Sequence, residues 1–382
     1  MASGDMVFDS QRAKNSFGGG PGKDSQVKKN RLLIFDMDGV LIDVSSSYRE
    51  TVRRVIAIFF ERFLGVESFK KDTIGLQEVA DIKTLGGLNN DWDLTLSILN
   101  SILFYITGGR KFYLEKVNGQ GSRWCWKNDA GKLVKKPTIN EDLLVDLTFR
   151  GKEGIFVDIY RRWKEKGGGV YVRGDGEVLG GDIVKRIFQE VYLGEDLFKK
   201  HYGVSSEYYT GHGLIDRETL IPDPHIVFNL SHNCHLAIVT GRPRDEAIYP
   251  LEKFRIYEVF ECIITEDDIQ EAGGAHLRKP DPFSILKCIE YFPSVSSGDI
   301  YYIGDMPDDM IAAKRAGVIP IGFVNAGAGY SEEKNIEGSE SNNIKEDLYR
   351  DINMIDKHID RLYKSGARQV FTDFSEILKL LK

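Results

Sequence analysis

Short apolar runs that alternate with helical stretches constrain this chain of 382 residues more than any other feature. Each run is long enough for one buried strand, and such alternation is typical of a parallel sheet covered by helices on both faces. We therefore expect an α/β fold whose core is a doubly wound, Rossmann-like parallel sheet. The predicted core strands are residues 31–35, 236–239, 262–265, 300–303 and 320–324.

A long insertion separates the first predicted strand from the second. It contains apolar residues at helical spacing and a candidate β-hairpin around Asn118-Gly119, a dipeptide that tolerates the positive φ of a tight turn. We expect residues 29–43 and 233–382 to form the core and residues 44–232 to form an inserted, mainly helical cap domain. Residues 1–28 are rich in Gly, Ser, Lys and Asp, and we expect them to be a disordered tail.

Composition argues against several classes of protein. The 58 acidic and 51 basic residues are interspersed and leave a net charge of -7, so no basic stripe suggests a nucleic-acid partner. The cysteines lack the short spacings of zinc ligands, and we expect free thiols. The apolar stretch 98–106 is far short of the roughly 20 residues that span a bilayer, so we expect no membrane contact. These features favour a cytoplasmic location, although organellar targeting by the tail stays open, as does the oligomeric state.

An acidic pair follows the first predicted strand directly, in the segment Asp36-Met37-Asp38-Gly39-Val40. Two carboxylates one residue apart at a strand end can divide the work of phosphoryl transfer. One can attack phosphorus, while the other handles the proton of the leaving group. Such a pair also occurs in solvated turns, so its meaning depends on what lies at the other strand ends.

Polar side chains also follow the next core strands. The hydroxyl of Thr240 and the backbone N–H of Gly241 suit a phosphoryl oxygen, although a threonine at a strand end is often a helix cap. Further along, Lys279 could offset the negative charge of a phosphoryl group, although a single lysine is usually a surface residue. Because ligands gather at the carboxyl ends of parallel strands, we expect these residues to converge.

An acidic cluster, Gly304-Asp305-Met306-Pro307-Asp308-Asp309, follows the fourth predicted strand. It suits Mg²⁺, with one carboxylate bound to the ion and a second in the outer shell. The alternative is an acidic first turn that favours the dipole of the following helix. The presence of three acidic residues, Asp305, Asp308 and Asp309, in one short segment favours the metal site over a simple helix start.

The four signatures, in this order along the chain, resemble those of the haloacid dehalogenase superfamily. They resemble in particular its phosphoglycolate phosphatase-like branch, subfamily IA, in which a cap follows the first motif. The resemblance rests on Asp36-x-Asp38-Gly-Val, Thr240-Gly-Arg, Lys279-Pro-Asp-Pro and Gly304-Asp305-x-x-x-Asp309.

The resemblance implies a role for each residue. Asp36 is the expected nucleophile, Asp38 the general acid/base, and Thr240, Gly241 and Lys279 the groups that bind the phosphoryl oxygens. The expected Mg²⁺ ligands are Asp36, the backbone carbonyl of Asp38, Asp305 and Asp309. The insertion is longer than the usual cap of this branch, so no substrate is inferred from better-known relatives.

We therefore expect a magnesium-dependent phosphatase that hydrolyses a small phosphorylated metabolite through an aspartyl-phosphate. A phosphomutase of the same superfamily and a non-catalytic regulator that binds phosphate or sugar stay open, whereas Asp38 and Asp305 argue against a dehalogenase. The cap is expected to select the substrate and shield the site, with a role in oligomerisation as the alternative.

Overall fold

A parallel sheet runs through the centre of the core. The protein is described by a computed structural model that covers residues 29–85, 90–109, 112–117, 123–128, 130–135, 137, 139–150, 154–169, 171–174, 177–325 and 355–381. The strands of this part are β1 Leu32–Phe35, β2 Ile42–Asp43, β3 Phe112–Val117, β4 Arg123–Asn128, β5 Leu133–Val134, β6 Thr219–Leu220, β7 His235–Val239, β8 Cys262–Ile264, β9 Ile300–Gly304, β10 Ile319–Phe323 and β11 Gln369–Phe371. In these residues the central sheet has six strands, all paired in parallel, in the order β11-β10-β9-β1-β7-β8.

Helices cover both faces of this sheet and build most of the cap. They are α1 Tyr48–Phe59, α2 Leu76–Thr84, α3 Asp91–Ile106, α4 Glu141–Arg150, α5 Ile155–Glu165, α6 Ile183–Tyr202, α7 Pro224–Asn233, α8 Arg244–Lys253, α9 Glu266–Ala272, α10 Phe283–Ile289, α11 Pro307–Arg315 and α12 355–365. The predicted α/β class with a doubly wound core is confirmed.

The side chains of β1 alternate between two apolar layers, as expected for a strand buried on both faces. Leu33 and Phe35 belong to a buried cluster that includes residues of α7, α8 and the 3₁₀ segment Phe374–Leu381. Leu32 and Ile34 belong to a second cluster with residues of α10 and α11. All four side chains are at most 1% exposed, so the end of β1 is held firmly at one edge of the sheet.

The chain leaves and re-enters the core through a short antiparallel ribbon of β2 and β6. The buried residues between these strands, from Val52 to Ile215, form an apolar cluster of their own. The helix after the ribbon, α7, buries Val227 and Leu230 in the core together with Phe374. We therefore propose that the cap ends at residue 218 rather than at the predicted residue 232, because α7 packs with the core.

Several smaller features of the described residues complete the fold. The hairpin is confirmed, since β3 pairs with β4 in antiparallel fashion, while its Asn118-Gly119 turn lies outside the described residues, as does the predicted tail. Residues Phe374–Leu381 form a 3₁₀ helix. The four cysteines are free thiols. No helix in the described ranges combines the length and the apolar character needed to cross a membrane.

Candidate active site

Three neighbouring strands end at the same edge of the sheet, and each is followed by a predicted site residue. β1 pairs with β7 on one side and with β9 on the other. Asp36 continues from β1, and its N–H donates to the carbonyl of Ile303 at 2.8 Å. Thr240 follows β7 and Asp305 follows β9. Parallel pairing therefore brings residues from distant parts of the chain to one edge.

Lys279 makes the polar contacts that join this edge together. Its Nζ donates to Asp36 Oδ1 and to Asp309 Oδ1, each at 2.7 Å, and to the hydroxyl of Tyr302 at 3.0 Å. Burial lowers the pKa of Lys279, but Asp309 and Asp36 outweigh it and hold that pKa well above its ordinary value. The site therefore contains a fixed cation beside the predicted nucleophile. The Lys279-Pro280 peptide bond is cis.

Asp36, Asp305 and Asp309 each offer a carboxylate oxygen, and these three oxygens lie within 4.8 Å of one another. Burial raises the pKa of Asp36 to about 7, against the opposing effect of Lys279. Burial also raises the pKa of Asp305 well above its ordinary value, and the charges of Asp309 and Asp36 add to this effect. Three hard oxygen donors in a site of concentrated negative charge suit a divalent cation such as Mg²⁺. The residues present therefore fit the predicted metal.

Asp309 is held by protein donors on both of its carboxylate oxygens. Oδ1 accepts from Lys279 and, at 3.2 Å, from the Tyr302 hydroxyl, while Oδ2 accepts from the Met306 N–H at 2.9 Å. The residue is only 2% exposed. Asp309 thus fixes the direction of the Lys279 ammonium as well as lying among the candidate metal ligands.

A histidine from the end of the chain supports the loop after β9. His358, on α12, donates from Nε2 to the backbone carbonyl of Asp305 at 2.6 Å. Burial lowers the pKa of His358, which favours the neutral ring. This contact ties the position of Asp305 to a helix far away in the sequence.

Thr240 is buried at the same edge, and Gly241 beside it is open to solvent. The Thr240 Oγ1 accepts from the N–H of Arg242 at 3.2 Å, so the hydroxyl keeps its own proton for donation. Gly241 is exposed, and apart from its chain neighbours no atom of the described residues lies within 4 Å of the position that a Cβ would take there. A phosphoryl group can therefore approach this loop closely at Gly241.

Asp38 is turned toward Arg242. The guanidinium Nε donates to Asp38 Oδ1 at 2.7 Å, and Nη2 lies 2.6 Å from the same oxygen. The Asp38 side chain remains 33% exposed, whereas that of Arg242 is 1% exposed. In the sequence, Arg242 is part of the Thr240-Gly-Arg signature but was not predicted as a site residue.

A family model described as haloacid dehalogenase-like hydrolase matches residues 219–323, from β6 through β10. The matched segment includes Thr240, Lys279, Asp305 and Asp309. Over these residues the chain is similar to the haloacid dehalogenase-like hydrolase family. The resemblance drawn from the four signatures is thereby confirmed.

Individual proteins are also similar to this chain. An imidazoleglycerol-phosphate dehydratase from Phytophthora nicotianae is 22% identical over 296 residues, which cover 77% of this chain and 43% of that protein. The chain thus spans less than half the length of that curated relative. An X-ray structure from the Northeast Structural Genomics Consortium is 17% identical, with a TM-score of 0.54, and the match covers 92% of this chain and 98% of that one. This likeness shows a shared fold. The phosphatase Tt82 from Thermococcus thioreducens is 20% identical, with a TM-score of 0.42, over 75% of this chain and 87% of its own.

The cap contributes a lysine, Lys83, that was not predicted as a site residue. Lys83, on α2, donates from Nζ to both carboxylate oxygens of Asp91, at 3.0 and 3.1 Å. Burial lowers the pKa of Lys83, but Asp91 and then the core residues Asp38 and Asp305 raise it above its ordinary value. The cap therefore places a cation within the electrostatic reach of the core aspartates.

Proposed function

We propose that this chain is a magnesium-dependent phosphatase that hydrolyses a small phosphorylated metabolite through an aspartyl-phosphate on Asp36. The observation that carries the proposal is the position of Lys279 Nζ, 2.7 Å from both Asp36 Oδ1 and Asp309 Oδ1. A nucleophilic carboxylate beside a fixed cation suits phosphoryl transfer, because the cation offsets the charge of the transferring oxygens.

In the first step, a carboxylate oxygen of Asp36 attacks phosphorus, and the bond from phosphorus to the leaving oxygen breaks. Asp38 donates a proton to that leaving oxygen, so the product departs as an alcohol. Thr240, Gly241 and Lys279 bind the phosphoryl oxygens and hold the group in line with Asp36.

In the second step, a water molecule attacks the phosphorus of the aspartyl-phosphate. Asp38, now a carboxylate, takes a proton from this water while the bond between Asp36 and phosphorus breaks. Inorganic phosphate leaves, and both aspartates return to their starting forms.

Four groups would hold Mg²⁺ at this edge: the carboxylates of Asp36, Asp305 and Asp309 and the backbone carbonyl of Asp38. When bound, the ion supplies positive charge that stabilises the phosphoryl oxygens in the transition state. The close grouping of the three carboxylate oxygens supports this ligand set.

The cap supports the choice of a small substrate. It joins the core at the β2–β6 ribbon, only a few residues after Asp38, and it carries Lys83 within reach of the core aspartates. A pocket between two domains limits the size of the substrate, which favours a metabolite over a phosphoprotein. We therefore propose that the cap selects the substrate and shields the site from bulk water.

The test is a panel of phosphorylated metabolites and one aryl phosphate, assayed for phosphate release with Mg²⁺ and with chelator. The proposal expects release from some substrates with Mg²⁺ alone, and none from the Asp36→Asn variant. A phosphomutase would instead need a bisphosphate activator and would return the phosphoryl group to the sugar. Release that persists in chelator, or in Asp36→Asn, would contradict the proposal.

A further inference from the structure

Arg242 forms a buried link between the proposed proton-transfer group and the cap. Its Nε and Nη2 contact Asp38 Oδ1, while Nη1 and Nη2 donate to the two carboxylate oxygens of Glu218 at 3.0 and 3.1 Å. The side chains of Arg242 and Glu218 are 1% and 0% exposed. One guanidinium therefore orients two carboxylates that lie far apart in the sequence.

Glu218 is also held by residues of the cap. It lies directly before β6, at the point where the chain returns to the core. Its Oε1 accepts from the hydroxyl of Ser47 at 3.0 Å and from that of Tyr192 at 2.8 Å. Ser47 precedes α1, and Tyr192 lies on α6. The direction of Glu218 thus depends on how two cap helices sit against the core.

The orientation of the Asp38 carboxylate depends in turn on its contacts with Arg242. A proton-transfer group must lie within hydrogen-bond reach of the proton that it moves. The planar guanidinium has donors in a fixed arrangement, so its pairing with Glu218 sets where it presents Nε and Nη2 to Asp38. Both contacts use Oδ1, so as far as the described residues go, Oδ2 of Asp38 is left for the leaving group or for water.

We propose that Arg242 and Glu218 are positioning residues that aim Asp38 and make its placement depend on the seating of the cap. This inference rests on the proposed phosphatase function, because it assigns Asp38 the proton transfers of that reaction. The simpler alternative is a buried ion pair that serves folding alone.

Conservative variants separate these two roles without leaving a charge buried and unpaired. Glu218→Gln keeps the shape of the side chain, Arg242→Lys keeps the charge, and Tyr192→Phe removes one hydroxyl contact. Tyr160→Phe is the matched control, since Tyr160 is a buried cap tyrosine whose hydroxyl has no hydrogen-bond partner among the described residues. All four are purified as full chains, and activity is expressed per folded molecule.

The decisive readout is a rapid-mixing experiment with two substrates. An aryl phosphate has a good leaving group that needs no proton in the first step, whereas an alkyl phosphate needs one. With the aryl phosphate, misplaced Asp38 should slow only the second step, so each positioning variant should release a burst of phenol and accumulate phosphorylated Asp36.

With the alkyl phosphate, Glu218→Gln and Arg242→Lys should lose about 10- to 100-fold in kcat with little change in KM and without accumulation. Tyr192→Phe should show a smaller loss in the same direction, and Tyr160→Phe should match the parent. Equal losses for both substrates, with no accumulated phosphoenzyme in any variant, would overturn the inference even if the parent is an active phosphatase.

Crystal structures of the parent and of Glu218→Gln provide a test that needs no turnover. The inference expects the Asp38 carboxylate to take a different direction in the variant, and an unchanged Asp38 would contradict it. Absence of phosphate release from the parent would count against the proposed function, while this comparison would still decide whether Glu218 positions Asp38.

Discussion

Gly39 and Asp305 approach each other so closely that a side chain at position 39 has no room. A Cβ on Gly39 would stand 2.3 Å from Asp305 Oδ2, and Gly39 has a φ of +75°, which side chains rarely adopt. The glycine of the first signature is therefore required by the acidic cluster of the fourth.

Gly39→Ala should displace Asp305 and weaken the metal site. We expect a loss of about 1–2 kcal/mol in the free energy of unfolding from the positive φ and a roughly tenfold or greater fall in Mg²⁺ affinity. Gly203→Ala is the matched control, because Gly203 has a φ of +70° and open space around it. Calorimetric titration with Mg²⁺ checks the prediction. Equal Mg²⁺ affinity in the two variants would show that the close approach is unimportant.

Asp305→Asn should reduce phosphate release about a hundredfold, which corresponds to about 2.7 kcal/mol in the barrier. The reason is the loss of a charged donor from the group formed with Asp36 and Asp309. Asp308→Asn, in the same acidic segment but outside that group, is the control and should keep most of its activity. Steady-state assays across a range of Mg²⁺ concentrations make the comparison. Full activity of Asp305→Asn at low Mg²⁺ would show that Asp305 is not a metal ligand.

Lys83→Met should impair turnover of an anionic metabolite more than turnover of a small aryl phosphate. Loss of one charge-assisted hydrogen bond costs about 1.5–3 kcal/mol, so KM for the metabolite should rise about tenfold or more. Lys164→Met, which removes another cap lysine that lies over the ring of Tyr160, is the control. If KM rises equally for both substrates, Lys83 does not contribute to selectivity.

The buried carboxyl group of Glu246 should make the free energy of unfolding depend on pH. Burial raises its pKa to about 8 from 4.5, and its Oε1 has no hydrogen-bond partner among the described residues. The folded chain therefore keeps a proton that the unfolded chain releases. This stabilisation is complete below pH 4.5 and is lost as the pH rises toward about 8.

Glu246→Gln removes this titration, so stability measurements can isolate it. The free energy of unfolding of the parent minus that of the variant should fall with rising pH, by up to about 5 kcal/mol, since one pKa unit is about 1.4 kcal/mol. Denaturant unfolding at several pH values measures the difference. Glu271→Gln, at an exposed position of α9, should follow the parent at every pH. A constant difference between the parent and Glu246→Gln would contradict the prediction.

The core strands and the residues at their ends were predictable because strand periodicity and the order of the polar signatures are local features. Asp36, Thr240 and Asp305 needed only the rule that parallel strands end at one edge, whereas Lys279, in the loop before α10, needed its place in the order of the signatures. Tyr302 was missed, since a tyrosine inside an apolar strand resembles an ordinary core residue. The short strand β11 was missed because three residues carry too little periodicity.

Other features depend on contacts between distant segments, which a single sequence does not reveal. In the sequence, Arg242 is one residue of the Thr240-Gly-Arg signature and nothing more. Its proposed positioning role follows from its pairing with Glu218 and Asp38 across the boundary of the cap. The proposed cap boundary moved from residue 232 to residue 218 because the apolar face of α7 packs with the core rather than with the cap. His358 donates a hydrogen bond to the backbone carbonyl of Asp305. The residue lies on a helix far along the chain, and its local sequence does not indicate this contact.

The most direct test of the account is to trap the covalent intermediate on Asp36. The protein is mixed with Mg²⁺ and an aryl phosphate, quenched in acid within a single turnover, digested, and examined by peptide mass spectrometry. We expect one phosphoryl group on the peptide that contains Asp36, and none on the same peptide from Asp36→Asn. A phosphoryl group on another residue, or turnover with no phosphorylated peptide under any quench time, would contradict the account.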